Sequence, residues 1–392
     1  MDKGLAVDHV PEARLLVIAL AALAACIIWL GVAAWRHRRN LRAVPVRIHV
    51  AGTRGKSTTT RLIAAGLRAG GLRVVAKTTG TEPRFIHPDG SETIWRRRGP
   101  ASVREQTRFF AQAALMGADT AVIECMAIRP ELIAASENHL IRATTVVITN
   151  TRADHLEDIG EQPDAAVDAV RWAIPANGNL FVADEAATPA LRSFAQKRGT
   201  AITVTDTAGL GALAADRELA LAVCAAHGVP AATAGPAMDT AAVDPGRFFV
   251  RNVAIEGKTV RFVNAFACND VASLALLWPT VDKAGTPVVL LNARRDRPLR
   301  TRRFLEFLAA QEPSPLLFVA GDPLAARLAR RAGFGRDAIR RLGARTSTAA
   351  LRELAARAPS GATIWGVGNY RGIGAGLVAQ VTAAADVTGA TC

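Results

Sequence analysis

Between Leu15 and Trp35 the chain reads LLVIALAALAACIIWLGVAAW, an apolar run without a charge. About 20 such residues are what a helix needs to cross roughly 30 Å of hydrocarbon. A signal peptide would have a shorter apolar stretch placed after basic residues and before a small-residue cleavage site. Here the basic residues come afterwards, as Arg36-His37-Arg38-Arg39-Asn40-Leu41-Arg42, while the arm ahead mixes Asp2, Asp8 and Glu12 with Lys3 and Arg14. Basic flanks stay on the cytoplasmic side. The pattern therefore predicts a single-pass helix in the cell (inner) membrane with everything after Arg36 in the cytoplasm.

Beyond Val44 the pattern changes to short apolar, β-branched runs separated by segments of helical period. Arg47–Val50, Leu72–Ala76, Asp119–Met126 and Ala143–Thr149 read as buried strands, and RLIAAGLRAGG reads as a helix. Later, Arg247–Ile255, Thr259–Val263, Val288–Asn292, Leu316–Ala320 and Thr363–Val367 read as strands, with helices after Thr301 and Pro323. Strands alternating with helices predict an α/β fold with right-handed crossovers and a mainly parallel sheet in each part. The turn signal Asp244-Pro245-Gly246 suggests the division: a membrane anchor over 1–40, a central domain over 41–244, and a C-terminal α/β lobe over 245–392. A length of 392 residues suits roughly two or three domains.

Composition adds charge to this picture. Lys and Arg total 48 against 34 Asp and Glu, a net charge of +14, which favours anionic partners. No nucleic-acid module or aromatic stacking platform accompanies it, so nucleic acid is not expected as a partner. The five cysteines, Cys26, Cys125, Cys224, Cys268 and Cys392, show neither a CxxC pair nor metal-ligand spacing, which fits reduced thiols.

The candidate chemistry begins after the first strand of the central domain. Gly52-Thr53-Arg54-Gly55-Lys56-Ser57-Thr58 stands between a strand and a helix, the order that builds a phosphate cradle. Backbone N–H groups and a helix N-terminus face the anion, Lys56 reaches the β- and γ-phosphates, and Ser57 can reach Mg²⁺. The loop has fewer residues between its glycines than the common Walker pattern. Lys77-Thr78-Thr79-Gly80-Thr81 follows the next strand, where open α/β sheets bind ligands. Glu124 ends a buried strand and is the candidate metal carboxylate. Asn150-Thr151-Arg152-Ala153-Asp154-His155 follows another strand at the same edge.

These segments together resemble the ATPase core of the Mur ligases: GTRGKST for the phosphate loop, strand-end Glu124 for the metal, and NTRADHLED for the DH segment. KTTGTEPR, ECMAIRPE, RFVNAFACNDVAS, LLNARRDRPLRT and IWGVGNYRG extend the likeness over nearly everything after Val44 to the ligase subunits of poly-γ-glutamate synthases, which also carry one N-terminal membrane helix. The resemblance implies a Mur-ligase-like fold and an ATP- and Mg²⁺-dependent amide ligase that adds glutamate to a poly-γ-glutamate chain. It implies that Lys56 holds the phosphates, that Ser57, Glu124 and His155 are metal or catalytic residues, and that Asn150 and Asp154 shape the pocket. Thr78, Thr79 and Arg295 would meet the substrate, and Asn269, Asp270, Arg294, Asp296 and Arg297 would reach ATP from the C-terminal lobe. Small membrane-protein subunits of a synthase and export complex are the implied partners, with homo-oligomers allowed.

The chain departs from the Mur pattern in two places. Mur ligases carry a lysine after the DH segment, carbamylated to hold a second Mg²⁺, but no lysine lies between Lys77 and Lys197. A membrane helix also stands where Mur ligases grip a UDP-linked precursor. The remaining alternatives are a ligase of the folylpolyglutamate type and a membrane-tethered P-loop NTPase that powers transport or switches a partner. GVGNYRGIG matches a dinucleotide fingerprint only superficially, since no second half follows it.

Overall fold

The structure is a computed structural model and describes residues 12–384 apart from 81, 98, 153–161, 163, 243–245, 256, 267, 269–270, 283–286, 344–345 and 360. Helix α1 runs unbroken over Glu12–Ala43, past the predicted end of the anchor. It is the one helix among the described residues long and apolar enough to cross a membrane. Ile28 and Trp29 along it are 66% and 69% exposed, so this surface has no partner among the described residues. Its last turns do have one. Leu41 is buried with Phe109 and Phe110 of α3 (Glu105–Leu115), and the Nε2–H of His37 donates to Leu140 O at 2.9 Å.

The first sheet has eight strands in the order β4-β3-β2-β5-β1-β6-β7-β8. They are β1 (Val46–Ala51), β2 (Val74–Thr78), β3 (Arg84–Ile86), β4 (Glu92–Ile94), β5 (Thr120–Glu124), β6 (Thr145–Ile148), β7 (Asn179–Ala183) and β8 (Ala201–Thr205). The neighbours β2-β5-β1-β6-β7-β8 pair in parallel, and only the β2–β3 and β3–β4 contacts are antiparallel. β2, β5 and β6 are buried throughout, because helices cover both faces. On one face α2 (Lys56–Ala69) packs with the helices Ala212–Ala226 and Ala231–Asp239, and on the other α3 packs with the end of α1.

The second sheet has six strands in the order β13-β12-β11-β14-β10-β9. They are β9 (Phe249–Ile255), β10 (Lys258–Ala265), β11 (Val288–Asn292), β12 (Leu316–Ala320), β13 (Ile339–Arg341) and β14 (Thr363–Gly368). The lobe is mainly parallel, with β9 and β10 as the antiparallel exception. Short β13 was not expected from its sequence, since its two arginines are exposed and give no apolar run.

Candidate active site

Four adjacent strands of the first sheet, β2, β5, β1 and β6, end on the same edge. The phosphate loop follows β1 and leads straight into α2. Gly55 caps α2 with φ 78°, in the left-handed region that glycine tolerates, and a Cβ there would collide with the Asp216 carboxylate. The first amides of α2 have no carbonyl one turn earlier, and its first turn carries no acidic residue to compete for an incoming anion. Lys56 Nζ donates to Gly52 O at 2.8 Å and Thr53 O at 3.0 Å, which keeps the ammonium against the loop.

The residues after β6 brace this loop. Asn150 O accepts from Thr53 N at 3.0 Å, and its Oδ1 accepts from Arg54 N at 3.2 Å and from the Thr53 hydroxyl. Its Nδ2 donates to Arg54 O at 3.1 Å, and the Thr149 hydroxyl donates to the same carbonyl. Asn150 thus spends its side chain on the loop backbone, which makes it a positioning residue.

Glu124, only 2% exposed, completes the edge. Its Oε2 accepts from Ser57 Oγ at 2.8 Å and from Thr79 N at 2.6 Å. A hydroxyl and a carboxylate held together beside a helix N-terminus are hard oxygen donors of the kind Mg²⁺ takes. Thr58 is half-buried in the first turn of α2. Thr78 is fully buried in β2, so a substrate has no surface of it to touch, and half-buried Thr79 is the threonine at the edge. Asp154, His155, Asn269 and Asp270 lie outside the described residues.

In the second lobe, a small cleft beyond β11 and β14 is lined by Asn292, Arg294, Arg297, Arg300, Thr301 and Asn369. Asn292 Nδ2 joins the two strand ends by donating to Asn369 O at 2.6 Å and Arg371 O at 2.9 Å. Arg294 Nε donates to Asp296 Oδ1 at 2.8 Å, and this pairing holds the Asp296 carboxyl below its usual range. Arg295 is exposed.

Three buried ionisable side chains have surroundings that no sequence motif signals. Asp216 sits in the second turn of an Ala-rich helix, and burial pushes its carboxyl up to about 7 against the opposing pull of Thr59 and Arg152. Lys77 is fully buried at 3.0 Å from Glu105 Oε2, whose Oε1 meets Arg97 Nε at 2.8 Å. Burial lowers the Lys77 ammonium, and Glu105 offsets part of this. In β1, His49 Nδ1 and Glu137 Oε2 meet at 3.0 Å with both side chains buried; burial lowers the imidazole, but Cys125 and Glu137 outweigh it and push it up to about 10.

Residues 50–212 match the Mur ligase middle domain, and residues 250–384 match the C-terminal domain of poly-gamma-glutamate synthase CapB. The PGA synthase CapB of Bacillus subtilis is 31% identical over 365 residues, which cover 88% of this chain and 92% of the relative. The chain belongs to the CapB family. Another CapB family relative, the capsule biosynthesis protein CapB of Bacillus anthracis, is 32% identical over 74% of this chain, but the match spans only 66% of that protein. Among solved structures, a bifunctional folylpolyglutamate synthase/dihydrofolate synthase with Mn, AMPPNP and L-glutamate bound aligns with a TM-score of 0.62, covering 89% of this chain and 92% of that one. At 17% identity this likeness shows that this chain shares the fold.

Proposed function

We propose that this CapB family member is an ATP-dependent amide ligase that lengthens a poly-γ-glutamate chain. The observation that carries the reading is the Ser57–Glu124 contact of 2.8 Å beside the N-terminus of α2, where a phosphate loop and a strand-end carboxylate meet at one edge. A carboxylate does not condense with an amine until its oxygen becomes a good leaving group. In the proposed sequence the γ-phosphoryl group of ATP passes to the γ-carboxylate of the chain end, so that one P–O bond forms as the bond to ADP breaks. The amine of an incoming glutamate then attacks the acyl carbon; the C–N bond forms, the C–O bond breaks, phosphate leaves and the amine proton passes to solvent.

Lys56 and the first amides of α2 bind the transferring phosphates and offset the charge that develops on them. Ser57 and Glu124 would hold Mg²⁺, which when bound supplies further positive charge to the phosphate oxygens. Asn150 keeps the loop in shape, and the arginine cleft of the second lobe offers cations to the nucleotide. Asp154 and His155 are proposed for the same pocket from their place in the sequence alone. The reading includes α1 crossing the inner membrane with the ligase on the cytoplasmic side, where ATP is found, beside small membrane subunits that export the polymer.

The test is glutamate-dependent ADP release by the full-length protein with its membrane partners. Lys56→Ala is expected to abolish both ADP release and polymer while leaving the protein folded and membrane-bound. Release of AMP would overturn the acyl-phosphate scheme, and ATP hydrolysis indifferent to glutamate would point instead to an NTPase that makes no bond.

A further inference from the structure

A basic groove lies at the opposite edge of the first sheet. A groove of about 770 Å³ opens where α1 meets the domain, lined by Arg38, Arg42, Arg47, Arg142 and Arg198, with Glu137 as its only carboxylate. Glu137 is committed elsewhere, to His49 Nδ1 at 3.0 Å and to the backbone N–H of Ala143 at 2.7 Å. Arg47 is committed too, its Nη1 donating to Val44 O at 2.8 Å and its Nε to Arg142 O at 2.9 Å. Arg198 Nη2 donates to Asn138 Oδ1 at 3.0 Å. The side chains of Arg38, Arg42 and Arg142 are exposed and form no ion pair among the described residues. Such a cluster of cations attracts an anion.

The position of the groove selects the anion. α1 continues without a break from its apolar stretch into this wall, and Leu41 and His37 fasten it to the domain, so the groove stands at a set height below the apolar segment. At 1.5 Å per residue, Arg38 lies roughly 4–5 Å and Arg42 about 10 Å beyond Trp35. The headgroup layer on each side of the hydrocarbon is about 5–8 Å thick, so Arg38 lies within it and Arg42 a few ångströms past it, in reach through its long side chain. The acidic polymer is the less suitable occupant. Arg47 is the second residue of β1, while the phosphate loop follows the other end of that six-residue strand, a separation of roughly 16–17 Å.

We propose that this groove binds the phosphate headgroup of an anionic phospholipid and thereby holds the ligase domain against the bilayer. The proposal rests on the reading that α1 crosses the membrane, and flotation of the protein with neutral phosphatidylcholine vesicles tests that reading by itself. The site is tested on the full-length chain in neutral detergent by native mass spectrometry. Phosphatidylglycerol and phosphatidylcholine of identical acyl chains are titrated in turn, with glycerol 3-phosphate and a short γ-linked glutamate oligomer as soluble competitors.

The expected result is a preference for phosphatidylglycerol of at least about tenfold, because each juxtamembrane arginine contributes severalfold. The triple variant R38Q/R42Q/R142Q should lose it, and R38K/R42K/R142K should keep most of it. All forms should still float with neutral vesicles. Equal binding of the two lipids, or an unchanged preference in the glutamine variant, would overturn the lipid site. Displacement of phosphatidylglycerol by glycerol 3-phosphate at equal phosphate concentration would also overturn it and leave a soluble phosphate as the ligand. Displacement by the glutamate oligomer at equal charge would reassign the groove to the polymer.

Discussion

Replacing Glu124 with glutamine separates a metal-binding role from a merely structural one. The Ser57 hydroxyl and the Thr79 amide both point at the same oxygen, Oε2, at 2.8 and 2.6 Å. A glutamine can present its amide oxygen there and keep both contacts as neutral hydrogen bonds. What it loses is the extra strength of a charged acceptor, about 1 kcal/mol per bond. In exchange it removes a carboxylate that is 2% exposed and forms no ion pair among the described residues, and burial of such a charge is itself costly. The terms nearly cancel, so Glu124→Gln is expected to shift the melting temperature by no more than about 4 °C.

Activity should respond very differently. A neutral amide is a poor Mg²⁺ ligand, and losing one preorganised charge-stabilising group typically raises a barrier by roughly 3–4 kcal/mol, or 10²- to 10³-fold in rate. The assay is ADP release at saturating ATP and glutamate over a Mg²⁺ titration. The variant should lose at least about 100-fold at low Mg²⁺ and recover part of the loss as Mg²⁺ rises. A folded variant with wild-type turnover at limiting Mg²⁺ would refute the assignment of Glu124 to the metal, and an unfolded one would refute the hydrogen-bond reasoning.

Asp216 predicts a pH dependence of stability. Its carboxyl, pushed up to about 7 by burial, holds a proton more tightly folded than unfolded, where carboxylates titrate near 4. Its contribution is therefore fully present below about pH 4 and is lost as pH rises through 7, by no more than about 4 kcal/mol. Urea denaturation should show Asp216→Asn gaining on the wild type between pH 5 and pH 8, and parallel curves would remove burial of this carboxyl as the cause. Gly55→Ala places a Cβ at φ 78° and against that same carboxylate, so it should cost at least about 2 kcal/mol of stability and weaken nucleotide binding. Binding of a non-hydrolysable ATP analogue, read by calorimetry, checks it; unaltered affinity would show that the loop tolerates the strain.

The parts of the structure legible beforehand were those written in local patterns. β1, the glycine–lysine loop and α2 follow one another in the sequence, and β5 announces itself as an apolar run that stops at Glu124. The antiparallel β9–β10 hairpin was also within reach, since its strands are joined by only Glu256 and Gly257, too short a link for a parallel crossover. Asp216 was not legible. Its place against Gly55 depends on a helix far along the chain folding back over α2, and one of two acids in an alanine-rich helix carries no motif. The Lys77–Glu105–Arg97 cluster joins a strand, a helix and a loop in the same way.

Asn150 was expected as a wall of the pocket, but only the folded geometry shows both of its amide atoms bonded to Arg54. The dinucleotide-like GVGNYRG has a structural explanation of its own. Gly368 lies in the left-handed region with its Cα against Asn292 O, where a Cβ would come within 2.7 Å, so the glycine serves the junction of β11 and β14.

The unbroken passage of α1 into the catalytic body has a kinetic consequence. With α1 crossing the membrane as proposed, a domain that continues its anchor as a single fastened rod would drift in two dimensions with one side always turned inward, whereas a loosely tethered one would tumble and sample partners with every face. Encounters with other proteins of the same lipid sheet then begin already half-aligned. Such a complex can form at a high effective concentration from surfaces too small to hold together in free solution.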